Sequence, residues 1–485
     1  MEVFDIAIIG FGASGVGLLN EIQNEVFTKR HLKSNIAIFN NQNSFAKGKA
    51  FGDASPVHIV NTPPELMSPS VVEPTGFWHW LREQKTMDSK WPTRGTFAKY
   101  LESVYKDIQA AELLNIHEFQ QDLLSLEYVN GSFELALKNE ELVKAREVVL
   151  CMGALNSSNF SDLEELSGFI NHYTQYNQPV HGPILIAGTG LTAVDAFKHI
   201  DRSKNAKAKM FSRNGLAPTC LSEKHQYVPK YLTWRSLIRE SQLSPLKAFK
   251  KLLLKEHNSL KNESEFKTSN QLLRAGKQKE YFRYLEDRAS NADLPWQDVL
   301  VSTRYWFHKF WKAMSITEKH EFISSFGSLW AAWRHPIPMS SFVQLGSAVG
   351  EGRLEFCMST SKPTYENGVF RVSTTGGTLE SRILWDGTGG SPIINNSRSP
   401  LLKQLINEGY VEPHPCGGIF INPKTFEISS SRKEVNGLYC IGPLNKGVLF
   451  STNAFWFNAQ CSEKWAYQWA KRVEAREGEH RVVVS

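Results

Sequence analysis

The chain has 485 residues, 41% hydrophobic and 21% charged, which is enough for two or three domains and too apolar for a disordered or fibrous protein. The formal net charge of +6 suits anionic ligands such as dinucleotide phosphates, but no long basic run marks a nucleic-acid binder. The densest stretch, Lys247 to Lys255, alternates with leucine and reads as the solvated face of a helix. Six cysteines stand apart at 151, 220, 357, 416, 440 and 461 with no C-x-x-C pair, which argues against a zinc site or a disulfide-reductase dithiol and suits a reducing cytoplasm.

Val3 to Ile9 predicts a buried strand, short and β-branched and closed by glycine, and the helix expected next spans about Ser14 to Val26. The apolar run Ile6 to Ile9 is too short for a signal segment or a membrane span, so a cytoplasmic protein with no membrane or nucleic-acid partner is expected. Asn35 to Phe39 is the next strand, completing a βαβ opening. Glu147 to Leu150 is a further apolar strand, ending on Cys151-Met152-Gly153. The pattern then restarts with a strand at Pro183 to Ala187, a helix at Thr192 to His199 and a strand at Lys207 to Ser212. From Thr233 to Leu345 the chain is rich in Lys, Trp and Phe at helical spacing and reads as a helical insertion. Short strands return over Arg353 to Thr388 and at Gly437 to Ile441, before a long helix over Ala454 to Glu474.

The first strand ends in Gly10-Phe11-Gly12-Ala13-Ser14-Gly15, a G-x-G-x-x-G loop between strand and helix. That context suits a dinucleotide: a tight turn, a backbone free to approach a pyrophosphate, close helix packing, and free N–H groups at the helix start. The bland alternative is a packing turn that binds nothing. The second strand ends in Phe39-Asn40, where an acid usually accepts from the adenosine ribose; Asn40 can still accept through its carbonyl oxygen but carries no charge. A second loop, Gly188-Thr189-Gly190-Leu191-Thr192-Ala193, fits G-x-G-x-x-A in the same context. The strand after it ends in Ser212-Arg213, residue types suited to a 2′-phosphate, which favours NADPH with NADH as the alternative. Arg213 as a plain surface arginine is the competing reading. The expected fold class is α/β, with two Rossmann-like dinucleotide-binding domains (three-layer) and a mostly helical insertion.

These motifs resemble the bacterial FAD/NAD(P)-binding family related to flavin-dependent N-hydroxylating monooxygenases. Lys47-Gly48-Lys49-Ala50-Phe51-Gly52 and Val60-Asn61-Thr62-Pro63 resemble that family's flavin-side loop, which implies Phe51 along the flavin and Asn61 near its ring. Pro92-Thr93-Arg94 resembles a Pro-x-Arg element that supports FAD. Val149 to Gly153 and Trp385-Asp386-Gly387-Thr388-Gly389 resemble the two crossovers between flavin and nicotinamide domains, bringing in Gly153, Asp386 and Gly387. Tyr439-Cys440-Ile441-Gly442-Pro443 resembles the final strand at FAD, with proline where related flavoproteins often have aspartate. Ser451, Thr452 and Asn453 are N-cap types before the last helix, whose N-terminus would stabilise charge on a reduced flavin.

The resemblance also reaches the insertion, where Trp330 through Trp333-Arg334-His335-Pro336 is similar to an element near a substrate cavity; Arg334 could bind a carboxylate and His335 assist proton transfer, although packing and capping explain such a cluster too. It implies an FAD-binding domain of residues 1–155 and 386–485, an NAD(P)-binding domain of 156–232 and 346–385, and a substrate-side insertion at 233–345. The implied cofactors are FAD and NADPH. The implied partners are molecular oxygen and a small amine or amino acid whose nitrogen is hydroxylated or further oxidised, with Asn61, Arg334 and His335 as the catalytic candidates. Two other functions stay open: an NAD(P)H dehydrogenase or oxidase serving another acceptor, and a non-catalytic redox sensor.

Overall fold

The computed structural model describes residues 3–29, 34–85, 90–139, 141–172, 182–203, 205–222, 224–240, 242–260, 264–390 and 393–484. The chain divides into two compact units, one of Met1–Asn156 with Ser391–Ser485, the other of Ser157–Gly390. Its strands are β1 Val3–Ile9, β2 Asn35–Phe39, β3 Asn115–Phe119, β4 Leu123–Val129, β5 Ser132–Leu137 and β6 Leu142–Leu150, then β7 Phe169–Ile170, β8 Pro183–Ala187, β9 Lys207–Ser212 and β10 Leu354–Met358. After them come β11 Thr364–Glu366, β12 Val369–Thr374, β13 Gly377–Ser381, β14 Leu384–Asp386 and β15 Leu438–Cys440.

In the first unit the sheet order is β3-β2-β1-β6-β5-β4, with β15 added against β6. Strands β3, β2, β1 and β6 run parallel. The apolar runs of β2, β1 and β6 are buried on both faces, as parallel strands covered by helices require, while β3 at the edge is partly exposed. The other edge of β6 is shared. Its first half pairs antiparallel with β5, and its last three residues pair parallel with β15. This is why the strand extends further back than its apolar end suggests: Leu142 to Arg146 alternates between buried and partly exposed, the period of a half-covered antiparallel strand.

The helix Ala13–Thr28 buries Val16, Leu18, Leu19 and Ile22 and packs along the C-terminal helix Phe455–Val484. That last helix is also held by charge. Buried Glu147 on β6 accepts from Arg472 Nε and Nη2 at 3.2 and 2.7 Å, and from Arg476. A carboxylate taken out of water needs such a bidentate partner.

The second unit has a five-stranded parallel sheet, order β10-β9-β8-β14-β7, and a separate antiparallel meander of β11, β12 and β13. Between β9 and β10 lie eight α-helices among the described residues, from Trp234 to Gly350. The helical run expected from Thr233 therefore starts with Thr233 as an N-cap, accepting from Ser236 N–H, and ends five residues beyond Leu345. Among the described residues no helix is long and apolar enough to cross a membrane.

Three buried carboxylates organise the helices. Glu256 accepts from the N–H groups of Lys230, Tyr231 and Leu232 and from the Tyr227 hydroxyl. Asp298 accepts from Gln226 and Tyr227 N–H, both at 2.9 Å, and meets His225 Nδ1 at 2.6 Å. Glu265 accepts from Trp296 and Gln297 N–H at 3.1 and 2.8 Å, at the start of the helix Pro295–Ser302. Burial outweighs these N–H contacts and pushes the Glu265 carboxyl up to about 7.

A carboxyl raised above its unfolded value stabilises fully at low pH and loses that contribution as pH rises through its folded value. For Glu265 the window runs from about 4.5 to about 7, and the loss is of the order of 3 kcal/mol. The melting temperature of the parent minus that of Glu265→Gln is therefore expected to fall between pH 5 and pH 8. A difference independent of pH would contradict the assignment.

Candidate functional site

In the first unit β1 runs into the glycine loop, and Gly12 sits at the cap of the helix Ala13–Thr28. Gly10 has φ +92°, and a Cβ on it would lie 2.5 Å from the carbonyl oxygen of Cys151, the residue that follows β6. The neighbouring strand end thus crosses directly over the first glycine, and only glycine fits. A Cβ on Gly12 would lie 2.9 Å from Gly48 Cα, and one on Gly15 would lie 2.4 Å from the Gly10 carbonyl oxygen. Gly442, after β15, faces Ser14, with 2.8 Å from a built Cβ to Ser14 Oγ. Gly10, Gly12, Ala13, Ser14, Gly15 and Gly442 therefore meet at one helix N-terminus. That helix has a glycine cap and no acidic residue in its first turn, so its first N–H groups are offered to an outside acceptor.

Asn40 has a local task that its type explains. Its Oδ1 accepts from Phe11 N–H at 3.1 Å, while its Nδ2 donates to Asn41 O and Ser44 Oγ at 3.0 and 3.1 Å. A carboxylate could make the first contact and neither of the others. Asparagine here ties the glycine loop to the turn after β2.

Phe51 lies against Phe97, ring centroids 4.7 Å apart, and within 6.0 Å of Phe455 at the start of the last helix. Arg94 opens the helix Arg94–Ala110, and its Nε donates to Ile59 O at 3.3 Å, two residues from half-buried Asn61. The last helix begins at Phe455, one residue later than expected. Ala454 supplies the first accepting carbonyl, to Asn458 N–H, because the chain turns beforehand at Phe450, φ +64°, and through Ala454 N–H to Ser451 O. Asn453 is exposed, whereas the Thr452 hydroxyl is buried with no hydrogen-bond partner among the described residues. A small cavity of about 20 Å³ is lined by Ala13, Ser14, Gly17, Pro69, Phe455 and Asn458, with Ala459 and Ser462. Gly153 has φ +73° in the segment after β6.

The second loop repeats the device. Gly188 has φ +99°, and a Cβ on it would lie 2.6 Å from the Gly387 carbonyl oxygen, just after β14. Ala193, the last motif position, is fully buried against Gly387, whose own built Cβ would lie 2.9 Å from Ala193 Cβ. Gly190 caps the helix Leu191–Ile200, which also carries Thr192, at φ −85°. A Cβ on Gly190 would meet nothing within 4 Å among the described residues. Neither the fold nor the backbone angle requires glycine there, so the space it leaves fits a ligand passing close to the backbone. Thr189 Oγ1 lies 3.4 Å from Ser212 Oγ, and Arg213 is exposed beside it. Asp386 is committed to its own turn, accepting from both the N–H and the hydroxyl of Thr388.

In the helices, Arg334 and His335 part ways. Arg334 ends the helix Ile316–Arg334 and is buried; His335 is the exposed C-cap, its N–H bonded to Ala331 O. Two residues gained weight that their sequence context did not carry: Gly48, as the close neighbour of Gly12, and Arg304, which lies near Arg334. For Gly48 the positive φ of +70° could have been inferred from its place between two lysines in a turn; for Arg304 no sequence signal exists.

Residues 7–155 match the family model described as FAD-NAD(P)-binding. No curated protein matches the chain by sequence. Among solved structures, the chain is similar to ornithine hydroxylase from Pseudomonas aeruginosa, with TM-score 0.61 and 13% identity, covering 97% of this chain and 100% of that one. It is similar to the ornithine N-hydroxylase of Kutzneria sp. 744, solved with reduced FAD, NADP+ and L-ornithine, with TM-score 0.56, 12% identity and the same coverage. It is also similar to the bacillithiol disulfide reductase of Bacillus cereus, with TM-score 0.52 and 10% identity over 97% of this chain and 100% of that one. The α/β fold with parallel sheets is thus shared with flavin-dependent N-hydroxylating monooxygenases.

The contrast between the glycines is testable. Gly190→Ala is expected to leave the melting temperature unchanged, within the roughly 1 kcal/mol such substitutions carry, while weakening NADPH binding about tenfold or more. Tight binding by that variant, measured by calorimetric titration, would remove the second loop from the site.

Proposed function

We propose that the chain is an FAD- and NADPH-dependent monooxygenase that hydroxylates the nitrogen of a small amine or amino acid, using molecular oxygen. The observation that carries this reading is the pair of strand–glycine–helix loops, one per unit, within a fold shared over 97% of the chain with the ornithine hydroxylase. Bound FAD and NADPH supply the redox chemistry, the nicotinamide giving a hydride and the flavin carrying two electrons.

The chain's part is to hold and orient these groups. The first-turn N–H groups of Ala13, Ser14 and Gly15 would bind the FAD pyrophosphate, with Gly10, Gly12 and Gly442 keeping the approach clear and Gly153 closing the loop region. Asn40 would face the adenosine ribose, and Phe51, Asn61 and Arg94 the flavin end. Thr452 brings a buried hydroxyl, without a partner among the described residues, to the start of the last helix, and Asn453 an exposed amide. In the second unit Gly188, Thr189, Gly190, Leu191 and Thr192 would cradle the NADPH pyrophosphate, backed by Asp386 and Gly387. Ser212 and exposed Arg213 would receive the 2′-phosphate, for which a guanidinium fork is well matched.

Likeness to a disulfide reductase supports a second reading, in which the same cofactors pass electrons to an acceptor other than oxygen. The two separate in an oxygen-uptake assay with NADPH and L-ornithine, L-lysine, putrescine or cadaverine, followed by mass spectrometry. The monooxygenase reading expects one of these to stimulate uptake and to emerge carrying one added oxygen atom. NADPH oxidation that is indifferent to all four and yields only peroxide would contradict it.

A further inference from the structure

Met358 is the one methionine that stands exposed among the described residues, with 44% of its surface open. It ends β10, and in the parallel register it is the Cα partner of Ser212 at the end of β9. Partners in register share a face, so Met358 and Ser212 look out on the same side of the sheet. One residue earlier in each strand, Phe211 and Cys357 are buried in the core with Phe370 and Val372 on the other side. Leu354 and Phe356 precede Met358 on its own face and are buried, Phe356 with its ring 5.7 Å from that of Phe282. Met358 is where that cover stops, so packing alone does not call for a large apolar side chain there.

The turn beyond β9 is built against this side chain. Ser212 O accepts from Gly215 N–H at 3.2 Å, closing a turn that carries exposed Arg213 and Asn214. The same carbonyl accepts from Ser359 N–H at 2.9 Å, which ties the turn to the end of β10. Gly215 has φ +58°, and a Cβ on it would lie 3.0 Å from Met358 Cβ. In the other direction Thr189 Oγ1 lies 3.4 Å from Ser212 Oγ, which joins the turn to the second glycine loop. An unbroken row therefore runs along the carboxyl ends of three parallel strands, from Gly190 and Thr189 through Ser212 to Arg213 and Met358. Ligands of open parallel sheets lie along that edge. The row ends in a guanidinium beside a thioether, a soft apolar group that favours the edge or face of an aromatic ring.

We infer that Met358 is the platform for the adenine ring of the nicotinamide dinucleotide. The inference rests on the NADPH reading of the second loop and deepens it by dividing the adenosine end among three residues. Ser212 meets the ribose, Arg213 the 2′-phosphate, and Met358 the base, one strand spacing of about 4.8 Å from the ribose contact. Arg213 then discriminates NADPH from NADH, whereas Met358 serves both alike. Met358 is a binding residue that offers the ring an apolar surface and reads none of its polar edge.

Calorimetric titration of the full chain with NADP+, NAD+ and adenosine 2′,5′-diphosphate tests the assignment, since none of these ligands is turned over. The parent is compared with Met358→Ala, Met358→Leu and Arg213→Ala, with melting temperature as the check on folding. Met358→Ala is expected to bind all three ligands about tenfold more weakly and to melt with the parent. Met358→Leu keeps the apolar surface and recovers most of the affinity. Arg213→Ala weakens NADP+ and the diphosphate and leaves NAD+ unchanged. The preference for NADP+ over NAD+ thus survives in the methionine variants and falls in the arginine variant. The inference is overturned if Met358→Ala binds as tightly as the parent, or if its loss is confined to ligands with a 2′-phosphate. It is also overturned if leucine restores nothing, or if Met358→Ala melts well below the parent, which would make Met358 a packing residue. A parent that binds none of the three defeats the NADPH reading itself, and the inference with it.

Discussion

Both glycine loops depend on a carbonyl that crosses where a side chain would otherwise stand. Cys151 O passes over Gly10 and Gly387 O passes over Gly188, each within 2.6 Å of where a Cβ would be. In each case the crossing residue follows a strand that pairs in parallel in the same sheet, β6 beside β1 and β14 beside β8. The crossing forces the first glycine into positive φ, turns the chain sharply, and starts the next helix with its N–H groups at the carboxyl end of the sheet. That is the place where open parallel sheets take ligands. The position of each helix N-terminus follows from it.

The same constraint separates glycines that the fold requires from a glycine that it does not. Gly10, Gly12, Gly15 and Gly188 are each demanded by an atom of the protein itself, whereas Gly190 is demanded by nothing among the described residues. The motif alone does not make this distinction, because its spacing is the same in both cases. Asn40 shows the converse: a departure from the usual acid is accounted for by two donations that hold the turn after β2.

Much of the fold was legible in the residues. The strands Asn35–Phe39 and Pro183–Ala187 have the bounds that β-branched apolar runs between glycine and polar residues predict, and Lys207–Ser212 has its expected bounds too, with lysine and apolar residues alternating at its start. The hairpin of β4 and β5 was only half legible: β5 alternates strictly, burying Phe133, Leu135 and Leu137, whereas β4 sets Leu123, Leu124 and Leu126 among Ser125 and Glu127 without that period. The candidate site was readable where it is contiguous, at the two loops, and unreadable where it is assembled from afar. Nothing in Thr303-Arg304-Tyr305 announces that it lies near Arg334, and the paired, satisfied carboxylates Glu256, Glu265 and Asp298 look in sequence like any surface acid. Spacing reports neighbours along an element; it carries no information on which charges a fold brings together.

If one loop holds a flavin and the other its reductant, the two cofactors meet in a colour change. The visible absorption spectrum of the purified chain, recorded without oxygen before and after addition of NADPH, reads it. One flavin per chain, bleached by NADPH, is the expected result. A colourless protein that takes up no FAD, or a bound flavin that NADPH and NADH both leave oxidised, would contradict it.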